Sequence, residues 1–282
     1  MANSSQDNSV DTFMAEPLPG DSRQARQRAR RQLIVEAVMQ EGAIRIEDIT
    51  ERFDISLMTA HRDIDELADK GLLHKTRGVV SATPTSLVES SGLYRASRQQ
   101  EEKWAIAEVA ASFIEPGQAL FLDDSTTVLQ LARFLPTKTP LTVITNSLTL
   151  MTELKDARDI TLMGLGGQYY NWCNAFMGRM TRNEIQNLRA DMFFVSMSAI
   201  VDDGVFHQSA ETVETKRAMF DAANKRILLA DHTKFERRAL NSFARLTEFD
   251  AVIVNQGTPG TVLHRLQELG VNFIVAPMRR QD

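Results

Sequence analysis

Two sets of polar residues in this chain are spaced so that they could do chemistry. The first runs from Ser56 to Leu67 (SLMTAHRDIDEL). Ser56 is a helix-capping residue whose hydroxyl can take a free backbone N–H. Behind it Leu57, Ala60, Ile64, Leu67 and Ala68 repeat at helical spacing along one face. Met58, Thr59, His61 and Arg62 fall on the opposite face within the first two turns, where a helix lying in the major groove reaches base edges. Gly71 supplies a left-handed stop. A two-stranded basic tip over 72–80 follows, carrying Lys75 and Arg77. Upstream, Arg23, Arg26, Arg28, Arg30 and Arg31 come with no acid among them. Arg28 and Arg31 are therefore expected, with Lys75 and Arg77, to meet phosphates, while the helix face reads bases.

The second set follows short apolar runs. Asp123-Asp-Ser-Thr-Thr127, Thr145-Asn-Ser147, Gly164-Leu-Gly-Gly167 and Asp231-His-Thr-Lys234 each stand where a strand would end. Hydroxyls and backbone N–H groups at a helix start favour an anion, and glycines admit close approach of a ligand to the backbone. Four such ends in one sheet point to a single small polar ligand, phosphorylated. The plainer reading of any one of them is a helix cap. A third chemistry stays open: Asp123, Asp124 or Asp231 with Lys216 or Lys234 could move a proton next to a carbonyl, as an isomerase or deaminase requires.

The elements that must hold these residues divide the chain. Residues 1–22 are polar, with four acids and no base, and are read as a disordered tail. Residues 23–80 are read as three helices and a hairpin, a winged helix-turn-helix with a core of Leu33, Ile34, Val38, Ile44, Ile49, Phe53, Ile64, Leu67 and Leu72. Residues 81–98 are polar and aperiodic, an interdomain linker. From 99 to 278 apolar runs alternate with helical patterns. Strands are expected at 119–122, 141–145, 160–163, 192–197, 226–230, 251–255 and 272–275. Helices are expected at 102–114, 127–135, 148–155, 182–188, 211–224 and 260–269. This is the pattern of an α/β fold with a mainly parallel sheet covered on both faces, whose ligands bind at the carboxyl ends of the strands.

The totals narrow the class. A net charge of −5, with 43% apolar and 24% charged residues, suits a soluble globular protein rather than a wholly basic nucleic-acid coat. The single cysteine, Cys173, is expected to be a buried thiol. No Cys/His cluster has metal-ligand spacing, so no metal or cofactor is expected. No long apolar run or basic-then-apolar leader is visible, so the expectation is a cytoplasmic protein without a membrane partner.

Taken together, residues 25–255 resemble the DeoR-type bacterial transcriptional regulators. The Ser56–Leu67 run followed by Lys70-Gly71-Leu-Leu resembles that family's recognition helix and wing. Asp123–Thr127, Thr145–Ser147, Gly166-Gly167, Gly178, Asp191, Asp203-Gly204, Glu214/Lys216/Met219 and Asp231–Phe235 match in order along the second half. The resemblance implies a sensor domain similar to ribose-5-phosphate isomerase and CoA-transferase-like folds, which binds a sugar phosphate and thereby alters affinity for an operator in double-stranded DNA. It also implies that Asp123, Ser125, Thr126 and Thr127 cradle the effector, that Asn146, Gly167, Lys216, Asp231 and Lys234 line the same pocket, and that the protein is a homo-oligomer, dimer or tetramer. The implied role is repression of a carbohydrate catabolic operon. Where the family usually has two consecutive arginines this chain has His61-Arg62, which implies an altered operator preference. A serine, Ser125, stands where the family usually has glycine. A DNA-binding architectural protein with a vestigial sensor is a further reading of the same residues.

Overall fold

The computed structural model describes residues 23–41, 43–69, 72–82, 95–96 and 98–278, which fall into two units divided between Tyr94 and Arg95. The expected tail (1–22), the Gly71 stop and most of the expected linker (83–94 and Ser97) lie outside the described residues.

The first unit runs α1 (Arg23–Glu41), β1 (Ala43–Arg45), α2 (Ile46–Phe53), α3 (Leu57–Asp69), β2 (Leu73–Thr76) and β3 (Val79–Ala82). Its antiparallel sheet has the order β1-β3-β2. The strand β1 is too short to read from periodicity. Its place is fixed by pairing, with Ile44 opposite Val80. Arg77 and Gly78 turn the hairpin with φ of 49° and 78°, a two-residue turn whose left-handed residues match strand twist. Ile34, Val38, Ile44, Ile49, Ile64, Leu67 and Leu72 are buried as expected. Leu33 and Leu57 are not, each being 52% exposed. Leu33 sits next to Ile34, which takes the inward position, and Leu57 opens α3 one turn before the face closes on Ala60.

The second unit is built on a seven-stranded sheet in the order β15-β14-β12-β9-β4-β5-β6. Its strands are β4 (Ala119–Leu122), β5 (Leu141–Thr145), β6 (Ile160–Gly164), β9 (Ala190–Val195), β12 (Ala223–Ala230), β14 (Ala251–Asn255) and β15 (Phe273–Ala276), all pairing in parallel. Strict alternation sends Leu120, Leu122, Met192, Phe194, Ile227 and Leu229 to one face. Phe121, Phe193, Val195, Leu228 and Ala230 go to the other. Helices α4 (Gln100–Ala111) and α5 (Leu148–Leu154) cover the first face; α6 (Arg179–Gln186), α7 (Ala210–Asp221) and α8 (Gly260–Glu268) cover the second. Both faces are therefore dry, as a parallel sheet requires.

Three differences from the expected pattern have local causes. Residues 127–135 form a 3₁₀ helix, Val128–Arg133, rather than an α-helix, with i→i+3 bonds such as Gln130 N–H to Thr127 O at 3.2 Å and Pro136 close behind. A short hairpin, β7 (Gln168–Tyr170) and β8 (Ala175–Met177), fills the stretch after β6. A small antiparallel sheet, β10 (Ala199–Val201), β11 (Gly204–His207) and β13 (Asn241–Arg245), packs beside the second face. These strands are three to five residues long, too short for alternation to register.

Candidate functional site

In the first unit α3 begins as a capped helix. The Thr59 N–H donates to Ser56 Oγ at 3.3 Å, and the Ser56 and Thr59 hydroxyls lie 2.9 Å apart. Met58 is 83% exposed and Arg62 is exposed beside it, whereas Thr59 and His61 are half-buried. Asp63, on the inner side of the same helix, is buried and gathers two cations from α1. Arg30 Nε reaches Oδ2 at 2.8 Å and Arg31 Nε reaches Oδ1 at 2.8 Å. Burial works against the charge of Asp63, but the hydrogen bonds from Arg31, Arg30 and Gln27 outweigh it and hold the carboxyl below its usual range. Arg31 also pairs with Glu66. This corrects the sequence expectation for Arg31. At 6% exposure, with its guanidinium committed to the buried Asp63 and to Glu66, it fixes α1 to α3 instead of reaching a phosphate. Arg28 lies on α1, and its side chain is outside the described residues. On the wing Arg77 is exposed. Lys75 Nζ lies 2.6 Å from Asp65 Oδ1 and 2.9 Å from His61 Nδ1, so wing and helix share one polar contact.

In the second unit the strand order reverses between β4 and β9, and in such sheets the crevice at the reversal is where ligands bind. Asp123 closes β4 there. Its Oδ1 accepts the Ser125 N–H at 2.8 Å; its Oδ2 accepts the Ser196 N–H, just past β9, at 3.0 Å. Lys216, from α7, is buried and has three partners: Asp123 Oδ2 at 2.8 Å, Asp124 Oδ1 at 3.3 Å and the Ser196 carbonyl at 3.0 Å. Burial opposes the charge of Lys216, but Asp123 and Asp124 outweigh it and hold the ammonium above the ordinary lysine range. Asp124 is likewise held low: burial opposes its charge, and Lys216, then Arg95 and His207, outweigh that.

The neighbouring strand ends are equally structured. The Ser125 hydroxyl accepts the Val128 N–H at 3.2 Å and the Ser147 hydroxyl accepts the Leu150 N–H at 3.3 Å. Both serines act as caps, the plainer reading of those loops. Thr126 is half-exposed and Thr127 buried. Asn146 is buried and anchored through its Nδ2 to the Phe176 carbonyl at 2.9 Å. Its Oδ1 and the Ser196 Oγ have no hydrogen-bond partner among the described residues. Asp231 caps the 3₁₀ turn His232–Phe235 by accepting the Thr233 N–H at 3.0 Å. Burial opposes its charge, and Lys234 leads the groups that hold its carboxyl low. Lys234 is itself buried.

Gly167 has a different reason from the one expected. With φ at 151°, a Cβ there would stand 2.2 Å from Thr181 Oγ1 and 2.7 Å from the Met177 carbonyl. The glycine lets the β7–β8 hairpin seat against α6, so its bare backbone faces protein. The open groove along Gly117, Pro140, Thr142 and Asp159 lies at the amino ends of the strands, away from all of these groups.

Several residues were missed in the sequence. Lys103, on α4, is 3% exposed, and burial, followed by Lys234, brings its ammonium down to about 7. A signal existed: Lys103 stands three before Ile106 and four before Ala107 on the apolar face of its helix. Ser196 and Arg95 had none, because each is placed by tertiary contacts. Arg95 lies over the Trp172 ring at 5.7 Å. Cys173 is buried, and that burial pushes its thiol well above the usual range.

A capped helix with Met58 and Arg62 exposed at its start, a basic wing, and a parallel α/β domain with a polar crevice at its strand reversal are the features of a DNA-binding regulator carrying a sensor domain. The chain matches the model of the DeoR-like helix-turn-helix domain over residues 30–85 and that of the DeoR C terminal sensor domain over residues 98–256. It belongs to the DeoR family of transcriptional regulators. It is 31% identical over 244 residues to the glycerol-3-phosphate regulon repressor of Escherichia coli strain K12, covering 86% of this chain and 96% of that one. The lactose phosphotransferase system repressor of Staphylococcus aureus strain NCTC 8325 is 33% identical over 225 residues, 79% of this chain and 89% of its own. Among solved structures, ribose 5-phosphate isomerase A from Methanocaldococcus jannaschii aligns over 49% of this chain and 55% of its own, at 14% identity and a TM-score of 0.37. Among the described residues no helix is long and apolar enough to cross a membrane.

Proposed function

We propose that this protein represses a carbohydrate catabolic operon in the cytoplasm and that a small phosphorylated metabolite, a sugar phosphate, releases it from its operator. The observation that carries the reading is the crevice beside Asp123. There the buried Asn146 Oδ1 and Ser196 Oγ, unpartnered among the described residues, flank a carboxylate whose own oxygens are occupied. Buried polar atoms without partners are costly, about 1–3 kcal/mol each, unless something polar meets them, and hydroxyl groups of a sugar would do so. The cation supply lies at the same strand ends, in Lys234 beside Asp231. Asp123, Ser125, Thr126, Thr127, Asn146, Asp231 and Lys234 would contact the effector. Lys216, with all its donors committed, would act by positioning Asp123 and Asp124. The names of the relatives, the glycerol-3-phosphate regulon repressor and the lactose phosphotransferase system repressor, support the same ligand class.

At the head, Met58, Thr59, His61 and Arg62 would meet base edges, with Arg77 and Lys75 at phosphates. Two heads in a homo-oligomer would span two half-sites. The isomerase or deaminase reading needs a carboxylate free to take a proton. Asp123 accepts three donors and Asp124 and Asp231 are held in their charged forms, so we propose no catalysis.

The test is a gel shift of the full chain on the DNA upstream of its own gene, at moderate salt, with and without a panel of sugar phosphates. A sequence-selective complex loosened by one of them is expected. No selective complex at all, or one that every sugar phosphate leaves unchanged, overturns the reading. Lys234→Ala is expected to bind DNA as the parent does while responding weakly, and a full response from that variant would displace Lys234 from the pocket.

A further inference from the structure

Lys103 is a buried ammonium that faces two ways. Its Nζ donates to the backbone carbonyls of Arg95 and, at 2.8 Å, of Arg98. These residues stand at the end of the expected linker, just before α4. The charged groups that face it are Lys234 and Asp231 from the strand-end loop after β12, together with Arg95 and Arg237. The same nitrogen thus holds the segment through which the linker enters the sensor unit and lies in the field of groups placed at the ligand's end.

We propose that Lys103 is the relay through which an anion in the crevice reaches the linker: the anion draws the ammonium off the carbonyls of Arg95 and Arg98 and loosens the turn from which the linker departs. This rests on the ligand reading above. Two features give the device its direction. Removing one donor from two carbonyls at once frees a turn whose geometry is unfavourable, since Gln99, at the cap of α4, has a φ of 47°. Among the charged groups that face it, Lys234 and Arg95 oppose the ammonium, so an anion entering beside Lys234 offsets part of that opposition. Arg95, whose guanidinium lies over Trp172 in the β7–β8 turn, would move with the same segment.

The experiment uses the full chain, DNA from upstream of its own gene, and three probes: inorganic phosphate, D-ribose 5-phosphate and glycerol 3-phosphate. Thermal shift reads anion binding, gel shift reads DNA affinity, and hydrogen exchange reads amides 95–103. In the wild type the effective anion is expected to weaken DNA binding by about 5- to 150-fold, the usual span for coupled sites, and to speed exchange at 95–103. Lys103→Met lacks the tether from the start. It should bind the same anion with a comparable thermal shift, hold DNA as weakly as the liganded wild type, and change that affinity less than about twofold on anion addition. Lys103→Arg, which keeps a charged donor within reach of both carbonyls, should restore tight DNA binding. Should Lys103→Met not fold, Lys103→Gln gives the same comparison. A Lys103→Met protein that keeps the full anion response overturns the relay, as does one that has lost the thermal shift altogether, because Lys103 would then be a ligand contact. If the wild type responds to none of the probes, the ligand reading fails first and takes the relay with it.

Discussion

Both units bury charge, and they do so differently. In the DNA-binding head, Asp63 lies at the centre of the interface between α1 and α3 and is met by Arg30, Arg31 and Gln27. Its partners come from one helix, and the arrangement closes on itself. In the sensor, Asp123, Asp124, Lys216, Asp231, Lys234 and Lys103 are all buried at or near one end of the sheet. Two neutral polar atoms beside them lack partners among the described residues. The comparison separates two uses of an ionised group away from water. The head uses its ion pairs as a brace that fixes α1 to α3; the sensor gathers charges at the end of the sheet where we propose that a ligand binds.

The largest effect expected from breaking this contrast is on the sensor. Lys216→Met would leave Asp123 and Asp124 as buried neighbours without their cation. Loss of one member of a buried ion pair costs about 3–5 kcal/mol, to be read as a fall in the urea midpoint of the sensor transition. Asp63→Ala should follow, at about 3 kcal/mol, since Arg30 is partly exposed and can regain water. Its signature is loss of DNA binding at temperatures where the sensor's melting transition is unchanged. Arg62→Ala should weaken DNA binding by roughly 1–3 kcal/mol while leaving the melting temperature unchanged, because Arg62 is exposed. If Arg62→Ala melts early, the division between brace and reader is wrong.

The smallest effect is one of pH. Lys103 binds its proton less tightly when folded, about 7 against an ordinary 10.5, so below pH 7 it is charged in both states and its burial penalty is fully present. Between pH 7 and 10.5 the unfolded chain holds more protons than the folded one, and folding stability gains as pH rises. The melting temperature of the wild type, measured relative to that of Lys103→Met at the same pH, should therefore rise from pH 6.5 to pH 9.5. A constant difference would place Lys103 in an ordinary solvated setting.

Much of this was legible in the residues, for reasons that can be named. The alternation of Leu120, Phe121 and Leu122, and of Phe193 and Phe194, is set by a period of two and a sheet covered on both faces, so the main strands were found within a few residues. The Ser56 cap and the face of α3 follow from local spacing. What escaped depends on contacts distant in sequence. Arg31 belongs to a basic run that looks ready for phosphate, yet its carboxylate partner is 32 residues away. Ser196 acquires a role only because β9 lies beside β4. Gly167 suggested a ligand, but Thr181 and Met177 explain it. The caps at Ser125 and Ser147 show why a polar strand end is weak information alone.

If His61 meets a base edge, as proposed above, its bond with Lys75 bears on which bases the head would select. An ammonium has only protons to offer, so the imidazole nitrogen at 2.9 Å from it must be the one with the lone pair. The neutral ring is thereby fixed in a single tautomer whose Nε2 carries hydrogen. An arginine in that place would extend a fork suited to guanine. This histidine offers one directional N–H, which suits a lone acceptor such as the O4 of thymine or the N7 of a purine, and its aim depends on where the wing's lysine holds it.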